Sequence, residues 1–482
     1  MIEKDQRLSA SILWRLQAAF YQQSGITAWN QGAVPYYITN NPYIAAAYAR
    51  VIQGFLRDHP NLDPQHPVYI LELGAGPGQF AYYFLHHLRT ILEGTRLAGL
   101  RFVYLLTDLA ESNVNFWKQH PLYQAHLQAG RLDMARFDPL TDDQIHLVYS
   151  GQVLSAVDLV NPLIVLANYF LDSLPADLFS VHQGMLCEEQ VTLTSTAPAL
   201  DPNDPAIMSS LEVDFRPRLI SPQYYHRPEY NRLLQSYLNS LEGSYVLFPT
   251  GALDSLERLL ALSEGRMIFL TADKGEHRLE ALRSPLQPEI SVHGRGISMI
   301  VNFHALDTFL AARGGQAFHS KHRDEGLDIT AYLVEDPPLD GAETRGTFHA
   351  AIEAASPDDF FVLKKAFEPH YASSTLDQLL AFLRLSGYDP QIFKSMAPYL
   401  LDQAPGADPR QQERLFEAAG EVCKLYYPIG EPFDLLLALA RIYIALSAYP
   451  EALDCLRLSQ VYRGPTRETD ALIAQIQPLV WD

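Results

Sequence analysis

LELGAGPGQF, residues 71–80, sets glycines 74, 76 and 78 at every second position directly behind an acidic residue, Glu72. The apolar run VYILEL (68–73) leads in and AYYFLHHL (81–88) leads out. A glycine-rich turn between a buried strand and a helix lets the backbone come close to a bound cofactor, because glycine takes positive φ and carries no Cβ. A dinucleotide loop puts its third glycine inside the helix, where Gln79 stands here. The GK[ST] ending of a phosphate loop is missing too.

Working outward from the loop, strands and helices alternate. FVYLLTD (102–108), RLDMARFD (131–138) and PLIVLANYF (162–170) read as strands; 78–93 and 111–119 read as helices; IHLVYSG (145–151) reads as strand or connection. This alternation predicts βαβ units and a parallel sheet with helices on both faces. Upstream, helices are expected over 9–23 and 42–58, the second capped by Asn41 with Pro42 at its first position. Between them WNQGAVPYYITNN (29–41) is a turn-rich aromatic loop. From 180 to 265 the pattern breaks into hairpin material and helices near 226–241 and 251–263. RMIFLTAD (266–273), SMIVNF (298–303) and DITAYLVE (328–335) then return to the sheet. Insertions on such sheets gather at the strand C-termini, so 180–265 is expected on the substrate side.

After about 350 only helical periodicity remains. Leu439, Ala440, Tyr443, Ala452, Leu456 and Pro465 stand at tetratricopeptide spacings, although an ordinary helical bundle would show a similar pattern. The expected organisation is an α/β domain over 1–350, with its core sheet at about 66–180 and 265–335, and an all-helical domain over 355–482. Deleting 355–482 should then leave cofactor affinity nearly intact.

The chain has 482 residues, 48% apolar and 11% aromatic, an ordinary globular composition of two or three domains. Its formal charge of −20, without a run of five basic residues, argues against nucleic acid. The acidity suits a basic protein partner or a solubilising surface. Cys187, Cys423 and Cys455 share no metal or disulfide spacing, which points to a reducing compartment, the cytoplasm. The opening residues do not read as a signal peptide, and no run of about 18 apolar residues suggests membrane insertion. No catalytic triad and no metal site are expected: the sixteen histidines are scattered, and His86–His87 lie in an expected helix.

The ELGxGxG pattern resembles the first motif of Rossmann-like methyltransferases that use S-adenosylmethionine (SAM), a ligand without phosphate. The resemblance implies that Gly74, Gly76 and Gly78 turn the chain beneath the methionine part, and that Glu72 meets the ammonium directly or through water. It implies that Asp108 accepts from both ribose hydroxyls, and that Phe137 and Asp138 meet the adenine face and edge. Asp133 competes if the register shifts, and each acid has the alternative of capping a turn.

Residues 30–335 resemble the MidA family of SAM-dependent methyltransferases, one member of which methylates an arginine during respiratory complex I assembly. PLIVLANYFLDSLPADLF (162–179) is similar to the family's xxNEFxDALPxxxF, and PYYITNNPYIAAAYARVI (35–52) to its DFxTxPExSxxFGExxA, with Thr39 matching the threonine. VNFHALDTFLAARGG (301–315) is similar to VDFxALxxxAxxxG, and HGRG (293–296) to an Arg-Gly-His element. Tyr169 replaces the family's glutamate and Asn302 its aspartate, leaving Asp172 as the family-matched carboxylate. Asn168 followed by an aromatic also resembles the amino-methyltransferase pattern [ND]PP[YF], in which the amide accepts from the target nitrogen and the ring faces the developing cation. The expectation is a SAM-dependent methyltransferase acting on a protein side chain, arginine by resemblance, with Asn168, Tyr169 and Asp172 on the acceptor side and the helical domain binding the partner. The alternatives are a small-molecule methyltransferase that dimerises through its repeats and a non-catalytic SAM-binding scaffold.

Overall fold

A computed structural model describes residues 1–480 except 33, 35, 197–200, 289, 294–295 and 324–325. The HGRG element therefore lies partly outside the described residues. The main sheet comprises β1 (Val68–Glu72), β2 (Phe102–Asp108), β3 (Leu132–Arg136), β4 (Leu163–Asn168), β5 (Met267–Glu276), β6 (Gln316–His319) and β7 (Leu327–Val334). Their order is β3-β2-β1-β4-β5-β7-β6, with β1 to β5 parallel and β7 antiparallel to both its neighbours. A short strand, Val301–Asn302, pairs with the end of β5. The chain winds one way from β1 to β3 and the other way from β4 to β5. The crevice beyond the ends of β1 and β4 is thus a topological switch point, where ligands bind in such sheets.

The central strands read as continuous apolar runs because both of their faces are covered. Alternate residues serve two cores: Ile70, Leu106, Leu166 and Leu270 face one, while Leu71, Leu105, Val165 and Phe269 face the other. On the first face lie α2 (Pro42–Asp58) and α3 (Gln79–Leu92), whose buried residues recur at helical spacing. Asn41 caps α2 by accepting from Ile44 N at 3.1 Å, as its sequence implied. Helices Pro228–Ser240, Thr250–Leu262 and Phe303–Ala311 cover the second face.

The 180–265 insertion carries the expected helices, Pro228–Ser240 and Thr250–Leu262, and the expected hairpin is part of a larger sheet. Asp177–His182, Met185–Ser195, Leu211–Ile220, Ser244–Phe248 and the N-terminal Glu3–Gln6 form a separate antiparallel sheet. Its strands alternate between two apolar layers. Phe179, Val246 and Phe248 join the second core, while Leu178 and Leu247 pack on Leu13 and Leu16 of α1 (Ile12–Ser24).

From Ala342 onward the described residues form helices and the connections between them, with no strand, as the periodicity predicts. Leu436, Leu439, Ala440, Tyr443, Ala452 and Leu456 all fill the helical core. The helical region also packs on the α/β sheet. Phe348, Ala351, Ile352, Leu425, Tyr427 and Ile429 belong to the first core of the α/β sheet. Tyr427 stacks on His120 with centroids 4.0 Å apart, Asn30 Nδ2 donates to Ile429 O at 3.0 Å, and Tyr37 Oη donates to Asp389 Oδ2 at 2.6 Å. Among the described residues no helix is long and apolar enough to cross a membrane.

Candidate active site

β1 ends in Glu72, and the chain turns through Gly74, Gly76 and Gly78 at φ of +62°, +53° and +77°. Ala75 N donates to Thr107 O at 2.9 Å, Gly76 N to Asp108 Oδ2 at 3.1 Å, and Gly78 N to Ala75 O at 2.8 Å. Three of the loop's N–H groups are therefore spent inside the protein rather than aimed at an anion. A Cβ on Gly76 would lie 2.9 Å from Trp29 Cζ2, and one on Gly74 would lie 3.0 Å from Phe170 Cδ2. These two glycines let aromatic rings close onto the loop. Gly78 has a different task. It opens α3 in the left-handed region, and a Cβ there would meet Trp117 at 2.9 Å and Tyr427 Oη at 3.3 Å.

A cavity of about 160 Å³ lies above the loop and gathers Thr39, Glu72, Gly74, Gly76, Asp108, Phe137, Asn168 and Tyr169. Tyr104 Oη donates to Glu72 Oε2 at 2.9 Å. Burial pushes the Glu72 carboxyl up to about 8, against that hydrogen bond and with help from the nearby Asp108. Asp108 Oδ1 accepts from Ala110 N at 2.9 Å, and its Oδ2 accepts from Gly76 N at 3.1 Å and Asn113 Nδ2 at 3.0 Å. Burial raises this acid too, opposed by the three donors. Tyr21, Trp29, Tyr36, Phe80 and Phe137 supply aromatic wall, and none of the described lining residues is basic.

The tertiary arrangement corrects several expected roles. Asp138 does not line the cavity; its Oδ1 accepts from Leu140 N at 2.9 Å and caps the turn that follows β3, so that Phe137 and Pro139 face inward instead. Asp133 points away as well, accepting from Tyr149 N at 2.9 Å and Ser150 N at 3.1 Å. Asn168 lines the cavity, but its amide is committed to the protein. Tyr48 Oη donates to its Oδ1 at 2.8 Å, and its Nδ2 donates to Thr39 O at 3.0 Å. Thr39 thus lines the site while its carbonyl buttresses Asn168. Tyr169 sits at φ +48°, a costly conformation for a non-glycine residue, held by a bond from its N–H to Ala272 O at 2.9 Å.

Asp172 is absent from the cavity lining and borders a second small pocket together with Asn302. Burial pushes its carboxyl up to about 7, with the Lys274 charge opposing. Beside it Asp273, fully buried at the end of β5, accepts from Leu171 N at 3.2 Å and keeps Oδ1 without a hydrogen-bond partner among the described residues. Sequence reasoning missed this acid because it lies within the apolar strand RMIFLTAD. Asn302 is structural. It caps helix Phe303–Ala311 by accepting from Ala305 N at 3.1 Å, and its amide donates to Leu247 O at 2.8 Å. Trp29, Tyr21 and Tyr36 were missed as lining residues; the density of aromatics in 29–41 was the only signal for Trp29 and Tyr36, and Tyr21, within α1, had none.

Residues 54–288 match the model of a family described as a putative S-adenosyl-L-methionine-dependent methyltransferase. That family's cofactor is the one expected from the glycine loop. The fold is similar to a COG1565 superfamily member from Burkholderia thailandensis bound to S-adenosyl-homocysteine, at 15% identity and TM-score 0.40, over 69% of this chain and 95% of that one. A second COG1565 structure from the same organism aligns at 15% identity and TM-score 0.42 over 70% of this chain and 89% of its own. The CurJ carbon methyltransferase aligns at 11% identity and TM-score 0.31 over 66% of this chain and 60% of its own. No curated protein matches the chain.

Proposed function

We propose that this chain is a SAM-dependent methyltransferase of class I, Rossmann-like architecture. The cavity's chemistry carries the reading. Two buried carboxylates and a ring of aromatics line it, with no basic side chain among the described lining residues and with three of the loop's N–H groups already used. Such a site offers a nucleotide phosphate neither a positive charge nor free loop donors, and it suits a cationic ligand with an aromatic base. SAM fits this donor set. The glycine cradle admits the methionine chain, Glu72 takes its ammonium, Asp108 offers its remaining acceptor capacity to the ribose, and Phe137 flanks the adenine.

When bound, SAM supplies an electrophilic methyl on sulfur. The protein's task is then to align an acceptor and keep water out. Trp29 and Phe170 close over the loop, and Tyr169 presents its ring at the end of β4. Asn168 acts as a brace, because Tyr48 and Thr39 already occupy its amide. The acceptor is a protein side chain, arginine by resemblance to the MidA family, with Asp172 and Asp273 as a buried acidic pair beyond the cavity. The helical residues 355–482, tetratricopeptide-like in spacing, present the partner surface.

The commitment of the Asn168 amide favours a second reading, a SAM-binding scaffold without turnover. Titration calorimetry with SAM and S-adenosyl-homocysteine tests the first step, and absence of binding at millimolar ligand overturns both readings. Label from methyl-labelled SAM entering protein in a lysate supports the methyltransferase; binding without transfer supports the scaffold.

A further inference from the structure

We propose that His277, His319 and Asp328 form a binding site for one divalent transition metal at the far edge of the main sheet. His277 directly follows β5, His319 ends β6, and Asp328 is the second residue of β7, so adjoining strands deliver all three to one place. Their ligand atoms lie within 4.8 Å of one another. His277 Nδ1 is 2.6 Å from Asp328 Oδ2, and His319 Nδ1 is 3.2 Å from Asp328 Oδ1. The two imidazoles stack with centroids 4.0 Å apart and planes at 22°, and both present Nδ1 to the same carboxylate.

The surroundings suit ligation. His319 Nε2 meets Asp307 Oδ2 at 3.0 Å, and Tyr332 Oη donates to Asp307 Oδ1 at 2.8 Å. A carboxylate behind the remote ring nitrogen is the outer partner that metal-ligating histidines use, and Thr330 Oγ1 lies 2.9 Å from His319 Nδ1 on the ligand side. Arg323 donates to Asp328 Oδ2 at 3.2 Å and to Glu276 at 2.9 Å. With neutral imidazoles, Asp307, Asp328 and Glu276 against Arg323 leave two negative charges. One divalent ion balances them. The Asp328 side chain is fully buried, while His277 and His319 keep 21% and 13% exposure, so an ion can enter from solvent.

Two imidazoles and one carboxylate with an open position favour Zn²⁺, Co²⁺ or Ni²⁺ over Mg²⁺ and Ca²⁺, which prefer oxygen ligands throughout. The ion would pin β5, β6 and β7 together, away from the glycine-loop cavity. No motif spacing announced the site, because the sheet order alone brings its ligands together.

The test uses the full chain, stripped with EDTA and dialysed. It is titrated with Zn²⁺ in a calorimeter and with Co²⁺ under visible absorption. The expected result is one ion per chain, tetrahedral Co²⁺ bands that Zn²⁺ displaces, and a thermal midpoint raised by Zn²⁺. His277→Ala and His319→Ala each lose binding, Asp307→Asn weakens it by on the order of tenfold, and His86→Ala leaves it unchanged. His277→Gln serves if the alanine variant misfolds, and the wild-type titration depends on no variant. An unliganded wild type at millimolar Zn²⁺, or binding that survives both histidine substitutions, overturns the proposal and leaves a hydrogen-bonded His–Asp network.

Discussion

At Glu72 a carboxyl lies buried at the end of β1, held by one phenol and facing a cavity without a basic side chain among its described lining residues. Its ordinary value of 4.5 rises to about 8 through burial. Only the ionised form pairs with an ammonium, so SAM affinity should climb roughly tenfold per pH unit below about 8 and fall again above it as the ligand's ammonium loses its proton. Calorimetry across that range checks this, and a sloping profile retained in Glu72→Gln would assign the titration elsewhere. For the ligand-free protein the sign reverses. The folded state holds this proton more tightly than the unfolded chain, so the Glu72 contribution to stability is full below 4.5 and lost as pH rises through about 8. Asn302 presents a contrasting case. Its amide caps a helix and satisfies Leu247 O, and an aspartate there would set a carboxylate against that buried carbonyl. Asn302→Asp should therefore cost about 1–3 kcal/mol in denaturant unfolding, with methyl transfer per folded molecule unchanged.

Among the elements, the glycine turn and the Trp29 loop act as one unit. Gly76→Ala forces a Cβ to within 2.9 Å of the Trp29 ring at φ +53°, so about 1–2 kcal/mol of stability should be lost. The indole should also be displaced, read as a red shift in tryptophan emission together with weaker SAM binding. An unshifted spectrum would show that the loop moves instead of the ring. The central strands were legible because two covered faces demand an unbroken apolar run. The edge strand Leu211–Ile220 was not, since most of it is exposed and it contains Pro217. Only its partner, Met185–Ser195, makes it a strand. The same limit explains Asp138. Alternation locates the end of β3, but whether its acid faces the crevice or caps the turn depends on the backbone path of the next two residues.

Over the whole molecule, the helical C-terminal region is part of the floor beneath the glycine loop. Tyr427 packs under Gly78 and against His120, and Leu425 and Ile429 complete the first core. Removing residues 355–482 should yield a protein that aggregates or loses its near-ultraviolet circular dichroism, with no measurable SAM binding. A soluble, SAM-binding fragment would show that the sheet closes its own floor. Tyr427→Ala in the full chain should cost about 3–5 kcal/mol in thermal or denaturant unfolding, as for other large buried rings. By itself the sequence determined the glycine loop, the βαβ succession, the acids closing β1 and β2, and the passage to helices near 350, because each is written in local periodicity and turn chemistry. The tertiary structure decided which strand-end side chains share a cavity, that Asn168 is a brace and Asn302 a cap, and that Tyr427 supports a loop some 350 residues earlier. Those outcomes depend on contacts between elements distant along the chain, and no local pattern encodes them.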